Sequence, residues 1–169
     1  ADQQVELALC EGMTVGECYA RANNLETAKP WERVENAVRK SYLCEKFNAG
    51  CRGIDELYLT GNGVARNLEL VKGLYTGRCE RAVTMDPVEG SMHCSVLERI
   101  LERIGASDSQ AQRELAQARA GIRVPMEEWP AQALSGYGWY LLLLGDAERS
   151  LAASVQSLAR KDRRHVTGN

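Results

Sequence analysis

The chain has 169 residues, 44% of them apolar and 26% charged, with a formal net charge of −2. That length holds one compact domain or one short repeat array. The near balance of 21 basic and 23 acidic residues excludes the strongly basic face of a nucleic-acid binder, and no window approaches the roughly 18 consecutive apolar residues of a membrane span.

Taken in chain order, the elements read as helices. Pro30 sits where a first helical turn tolerates it, and Trp31, Val34, Val38 and Tyr42 then recur at spacings of three and four, as one face of a helix does. Leu68, Val71, Tyr75 and Cys79 make a second stripe; Val96, Leu97, Ile100, Leu101 and Ile104 make a third. Ahead of the third, Asp86 is an N-cap candidate, Pro87 follows at the first helical position and Glu89 adds an acid to the first turn. Ser107 and Asp108 can cap the next helix, which runs toward Gly121 through Leu115 and Ala118. Pro125, Glu127 and Glu128 are expected to open a further helix with Leu134, Tyr137, Leu141 and Leu144 inward. Within it, Trp139 to Leu144 is the longest apolar run, which suits a buried helix. Gly145 stops that helix and Asp146 starts the last one, whose apolar stripe is Ala147, Leu151, Val155 and Leu158. The basic cluster Arg160, Lys161, Arg163 and Arg164 complements a helix C-terminus. No alternating strand pattern and no Ser/Gly-rich or Pro-rich linker appears, so the expectation is one all-α domain over residues 1–169, with a frayed tail at 161–169.

The six cysteines, at 10, 18, 44, 51, 79 and 94, all fall in the first 94 residues. An even count in short-range pairs reads as a disulfide framework, and the spacing favours neighbours: Cys10–Cys18, Cys44–Cys51 and Cys79–Cys94. The rival reading, structural zinc, usually needs cysteines about two to four residues apart, and no such pair occurs. Disulfides place the chain in an oxidising compartment, periplasmic or extracellular. The opening Ala-Asp-Gln-Gln is a start that removal of a signal peptide would leave.

The cysteines also carry a period. Cys10, Cys44 and Cys79 stand 34 and 35 residues apart, and Cys18 and Cys51 stand 33 apart, the length of a two-helix repeat. Cys51 and Cys94 are 43 apart, which points to an insertion near Thr84 to Met92. Between the second and third pairs runs Glu56-Leu-Tyr-Leu-Thr-Gly-Asn-Gly-Val-Ala-Arg-Asn67. This stretch resembles the signature turn of the Sel-one-like repeat, a relative of the tetratricopeptide repeat. Leu57 and Tyr58 match its first helix, Gly61, Gly63 and Val64 its tight turn, and Asn67 the residue before its second helix. Tyr75 and Cys79 continue the match, while Val71 and Gly77 replace usual alanines. The cysteine spacing is similar to the cysteine-rich secreted branch, where a Cys ending one repeat pairs with one opening the next about eight residues on. The resemblance is specific over about residues 40–82, extends over about 8–105, and gives way to divergent helical hairpins over about 106–160. It implies an α-solenoid of antiparallel helix pairs, stapled by disulfides that each add ~2–3 kcal/mol.

Candidate chemistry is sparse. His93 and His165 are the only histidines, and an oxidised Cys94 beside His93 is no nucleophile. No G-x-S-x-G elbow, Walker loop or His-Glu-x-x-His motif occurs, and no metal or cofactor is expected. Repeat arrays of this kind capture protein partners on an exposed face. Trp31, Trp129 and Trp139 are the candidate partner anchors, because aromatic side chains dominate interface energetics. What the resemblance implies further is a periplasmic immunity protein that binds and neutralises a type VI secretion toxin, lipase-type toxins included. Two alternatives stand beside it: a β-lactamase-like or penicillin-binding repeat protein, although Ser-x-x-Lys and Lys-Thr-Gly are absent, and a cell-envelope assembly scaffold.

Overall fold

The computed structural model describes residues 3–24, 29–61 and 64–166. Among them the regular structure is helical, with eight α-helices, three short 3-10 turns and one isolated β-bridge between Gln4 and Thr14. Three disulfides join Cys10 to Cys18, Cys44 to Cys51 and Cys79 to Cys94, the neighbour pairing. The chain divides into two compact units, Ala1–Asn67 and Leu68–Asn169.

The first unit holds a 3-10 turn, Ala8–Cys10, and helices α1 (Val15–Ala22), α2 (Pro30–Phe47) and α3 (Ile54–Thr60). Thr14 and Glu17 start α1 as a reciprocal cap: the Thr14 hydroxyl accepts from the Glu17 N–H, and the Glu17 carboxylate accepts from the Thr14 N–H at 2.8 Å. Val5, Cys10, Cys18, Ala22 and Leu43 form the core, so the first disulfide is itself a core contact. Arg39 ties α2 to the opening turn, its Nε donating to the Leu9 carbonyl at 3.0 Å. The stripe Trp31, Val34, Val38, Tyr42 is not the buried face of α2. Trp31 and Val34 are exposed, while Asn36, Ala37, Arg39 and Leu43 are buried. The turn of Asn48 into left-handed backbone ends α2, and the Cys44–Cys51 disulfide closes the reversal that follows.

The second unit holds α4 (Leu68–Glu80), α5 (Pro87–Ile104), α6 (Ser109–Ala120), α7 (Ala131–Leu143) and α8 (Ala147–Val166), with 3-10 turns at Arg81–Thr84 and Met126–Glu128. Helix α5 is central and packs against α4, α6 and α7. Val96, Leu97, Ile100 and Leu101 of α5 are buried, as are Val71 and Tyr75 of α4, Ala118 of α6 and Leu134, Tyr137 and Leu141 of α7. Asp86 caps α5 by accepting from the Val88 and Glu89 N–H groups, and Asp108 caps α6 by accepting from Ala111.

Two expectations are corrected here. Pro125, Glu127 and Glu128 do not open α7: Met126–Glu128 closes as a single 3-10 turn, Trp129 is extended, and α7 begins after Pro130. Pro130 supplies the reason, since proline drives the residue before it out of the helical region. The apolar stripe of α8 is likewise not its buried face. Ser150, Ala153 and Ser157 point inward, and Leu151, Val155 and Leu158 are 66%, 56% and 61% exposed.

Candidate functional site

Small residues bring α8 close to α7. The Ser150 hydroxyl donates to the Gly138 carbonyl at 2.7 Å and the Ser157 hydroxyl to the Ala131 carbonyl at 2.8 Å, so α8 runs back along α7. A Cβ at Gly138 would stand 3.3 Å from the Ser150 carbonyl oxygen and 3.5 Å from the Ala153 Cβ. Leucines on this face would force the helices apart, and the short side chains instead satisfy polar groups across the contact. The large apolar side chains of α8 are therefore turned to the outside. Trp139 and Leu142, also large and apolar, are about half exposed on α7. Scattered single apolar residues on a surface are ordinary, but three on successive turns of one helix form a continuous ridge.

A charged cluster fixes the hairpin to its neighbours. Glu98 accepts from Arg119 at 2.7 Å and pairs with Arg99 at 3.1 Å; Glu102 pairs with Arg99 at 2.7 Å and with Arg149 of α8 at 3.5 Å. Arg99 Nε also donates to the Tyr137 hydroxyl at 3.1 Å. Burial raises the Tyr137 hydroxyl above its ordinary range, and the Arg99 hydrogen bond opposes that rise. Acids and guanidiniums alternate through this cluster and neutralise one another across α5, α6 and α8, with Tyr137 adding a neutral contact from α7, which suits a staple between them. A hollow of about 650 Å³ lies between the start of α5 and α7, lined by Asp86, Glu89, Met92, Pro130, Ala133 and Gly136. Asp86 spends its carboxylate on the α5 cap. Among the described residues no group of three His, Cys, Asp or Glu side chains could hold a metal ion, and no helix is long and apolar enough to cross a membrane.

The anchor candidates separate. Trp31 is 58% exposed, with the Lys29 ammonium 4.9 Å from its ring centre, and Trp139 is 49% exposed. Trp129 is no surface anchor. It is 1% exposed, its ring meets Tyr137 edge to face, and its Nε1–H donates to the Val124 carbonyl at 2.9 Å.

Of the expected repeat turn, Leu57 is partly buried and Tyr58 is buried. Gly61 ends α3 in left-handed backbone with φ 68°, Val64 is partly buried, and the Asn67 N–H donates to the Tyr58 carbonyl at 3.0 Å. Gly63 lies outside the described residues. The Tyr58 hydroxyl meets Ser41 and donates to Glu45 at 2.7 Å. Burial raises its pKa; the Ser41 contact lowers it and the Glu45 carboxylate raises it further. This joins α3 to α2 as a partly buried polar tie. Sequence reading missed the outward face of α8, although the signal is present: its serines recur with the core period, and its leucines do not share their face.

Compared with protein-family models, curated proteins and solved structures, the chain matches none.

Proposed function

We propose that this chain is a protein-binding helical repeat protein of an oxidising compartment, acting in the periplasm as an immunity protein that neutralises a secreted bacterial toxin. One observation carries the binding reading: α8 buries Ser150, Ala153 and Ser157 while exposing Leu151, Val155 and Leu158. A helix that turns its large apolar residues outward leaves stabilisation unused in the isolated chain and available on association. The three disulfides favour the oxidising compartment. The step from binding to toxin neutralisation rests on the Sel-one-like resemblance of Leu57, Tyr58, Gly61, Gly63, Val64 and Asn67 and of the cysteine spacing, which also supports the solenoid reading.

The test is capture followed by neutralisation. The chain is used as bait in extracts of bacteria that deploy type VI secretion, and a captured toxin is assayed with and without stoichiometric chain. Inhibition by the chain, lost in a folded Leu151→Asp, Leu158→Asp variant, supports the proposal. Recovery of housekeeping envelope proteins alone sinks the toxin reading.

A further inference from the structure

We propose that Cys44–Cys51 is a thiol–disulfide exchange site: a protein carrying a reactive pair of cysteines reduces this one bond in the folded chain and so loosens α3 from α2.

The three disulfides differ in what lies over their sulfurs. Cys10 and Cys18 are 0% exposed and belong to the core of the first unit with Val5, Ala22 and Leu43. Cys94 is also 0% exposed, and both sulfurs of Cys79–Cys94 lie against Gly121 at the end of α6. Cys79 is partly exposed, but it opens on a hollow of about 200 Å³ walled by side chains of α4, α5 and α6. That space admits a small reagent and not the active-site turn of a protein. At Cys44–Cys51 both cysteines are partly exposed, and Glu45, Asn48, Arg52 and Gly53 around them are exposed. The Asn48 Oδ1 lies 3.5 Å from the Cys51 sulfur in an exposed contact. Exchange requires a thiolate to reach a disulfide sulfur, so access decides which bond reacts. The reversal between α2 and α3 is where the cysteine of a second protein can reach one.

The exchange balances with a dithiol donor. One donor thiolate attacks a sulfur of the pair. A mixed disulfide forms, the Cys44–Cys51 bond breaks, and the other sulfur leaves as a thiolate that takes up a proton. The donor's second thiolate then attacks the donor sulfur of the mixed disulfide and displaces the remaining cysteine, which is also protonated. The chain gains two electrons and two protons, and the donor is oxidised to its own disulfide.

The backbone shows what the bond holds. Between the two cysteines it is left-handed at Asn48, φ 50°, and at Gly50, φ 65°, and it is left-handed again at Gly53, φ 79°, just before α3. Left-handed backbone is a costly choice for a residue with a side chain, although asparagine tolerates it best. A Cβ at Gly50 would overlap the Tyr19 ring, so the reversal rests on α1 through an exposed side chain. Helix α3 has seven residues, too few to persist without packing, and it packs chiefly on α2. Once the bond opens, the Tyr58–Glu45 hydrogen bond and the burial of Ile54, Tyr58 and Leu59 remain, but the closed loop is gone. The segment from Asn48 to Thr60 then opens locally more often. The other two disulfides stay closed, which confines the opening to this segment.

The test uses the full chain with reduced thioredoxin as the dithiol protein, at neutral pH and without denaturant. Free thiols are trapped with iodoacetamide and located by peptide mass mapping. Cys44 and Cys51 should be labelled at least about tenfold faster than the other four cysteines. Labelling of another pair first, of all six together, or of none overturns the proposal. Thioredoxin with its resolving cysteine replaced by serine should stay covalently attached to Cys44 or Cys51, and attachment elsewhere counts against the site. Hydrogen exchange then reads the consequence. Amides of residues 52–60 should exchange at least about tenfold faster after reduction, with α1 and α5 unchanged. The Cys44→Ala, Cys51→Ala variant should show the same fast exchange without any donor and form no attachment. Unchanged exchange at 52–60 in both the reduced chain and this variant would overturn the release of α3.

Discussion

Gly121 lies directly against the sulfur of Cys94. A Cβ at this position would overlap Cys94 Sγ and stand 2.9 Å from Cys79 Sγ and 3.3 Å from Cys94 Cβ. The disulfide therefore joins α4 to α5 covalently and occupies the space at the end of α6. Gly121→Ala is expected to destabilise the chain by about 1–3 kcal/mol through overpacking. In a Cys79→Ser, Cys94→Ala background the same substitution should cost clearly less, because the overlapped atom has gone. Urea titrations of the four variants give the coupling, and an equal cost in both backgrounds would rule out this contact as the cause.

Trp129 and the two exposed tryptophans should behave oppositely. Trp129→Ala removes a fully buried ring, its edge-to-face contact with Tyr137 and its hydrogen bond to Val124. The expected loss is about 3–5 kcal/mol. Trp31→Ala and Trp139→Ala, each about half exposed, should stay within about 1 kcal/mol. Thermal melts followed by circular dichroism separate the two classes, and a Trp139 cost as large as that of Trp129 would contradict the exposure of Trp139.

The helices were legible in the sequence for local reasons. Asp86 before Pro87, Asp108 before Ser109 and Gly145 before Asp146 are short-range signals, and the caps and stop lie where those residues place them. The neighbour disulfides were legible for the same reason, since their partners stand only 8, 7 and 15 residues apart. The faces were harder. Which stripe of a helix is buried depends on the neighbour it meets, and a neighbour such as Gly138 asks for serine and alanine instead of leucine. Size alone therefore misread α8, and it misread α2, where Arg39 takes an interior place through its bond to Leu9. Trp129 was illegible as a core residue because its burial depends on Tyr137, in the helix that follows, and on the Val124 carbonyl.

Tyr137 predicts a pH dependence at the alkaline end. Its folded pKa is raised above the ordinary 10.0, chiefly by burial. Above that ordinary value the unfolded chain gives up the phenolic proton while the folded chain keeps it, so stability falls as pH rises. The contribution is complete below pH 10 and is lost as pH climbs through the folded pKa. Tyr58 acts in the same direction. In urea titrations from pH 8 to about pH 11, Tyr137→Phe should show a shallower decline than the parent chain. An unchanged slope would assign the alkaline loss to other groups.

Glu98 and Arg119 share one ion pair at 2.7 Å, yet their removal should not cost the same. Glu98 is 9% exposed and also meets Arg99, so Glu98→Ala leaves a partly buried guanidinium without this carboxylate. A loss of about 2 kcal/mol is expected. The Arg119 side chain is more than half exposed, water replaces it readily, and Arg119→Ala should cost about 1 kcal/mol or less. Equal losses in denaturant titrations would show that the pair is evenly buried.

The inverted pattern of α8 makes the sharpest stability prediction, because it reverses the usual rank of side chains. Ala153→Leu adds volume where the Gly138 and Ala153 faces meet, and should cost about 1–3 kcal/mol although leucine is the more apolar residue. Ser157→Ala removes the donor to the Ala131 carbonyl and should cost about 1 kcal/mol. Leu151→Ala and Leu158→Ala take away side chains that are mostly in water, so each should change stability by no more than about 0.5 kcal/mol. The same leucine substitutions should weaken partner binding by far more than they alter folding. Denaturant titrations and binding isotherms on one set of variants therefore separate the two faces: serine and alanine positions register in stability, and leucine positions register in association.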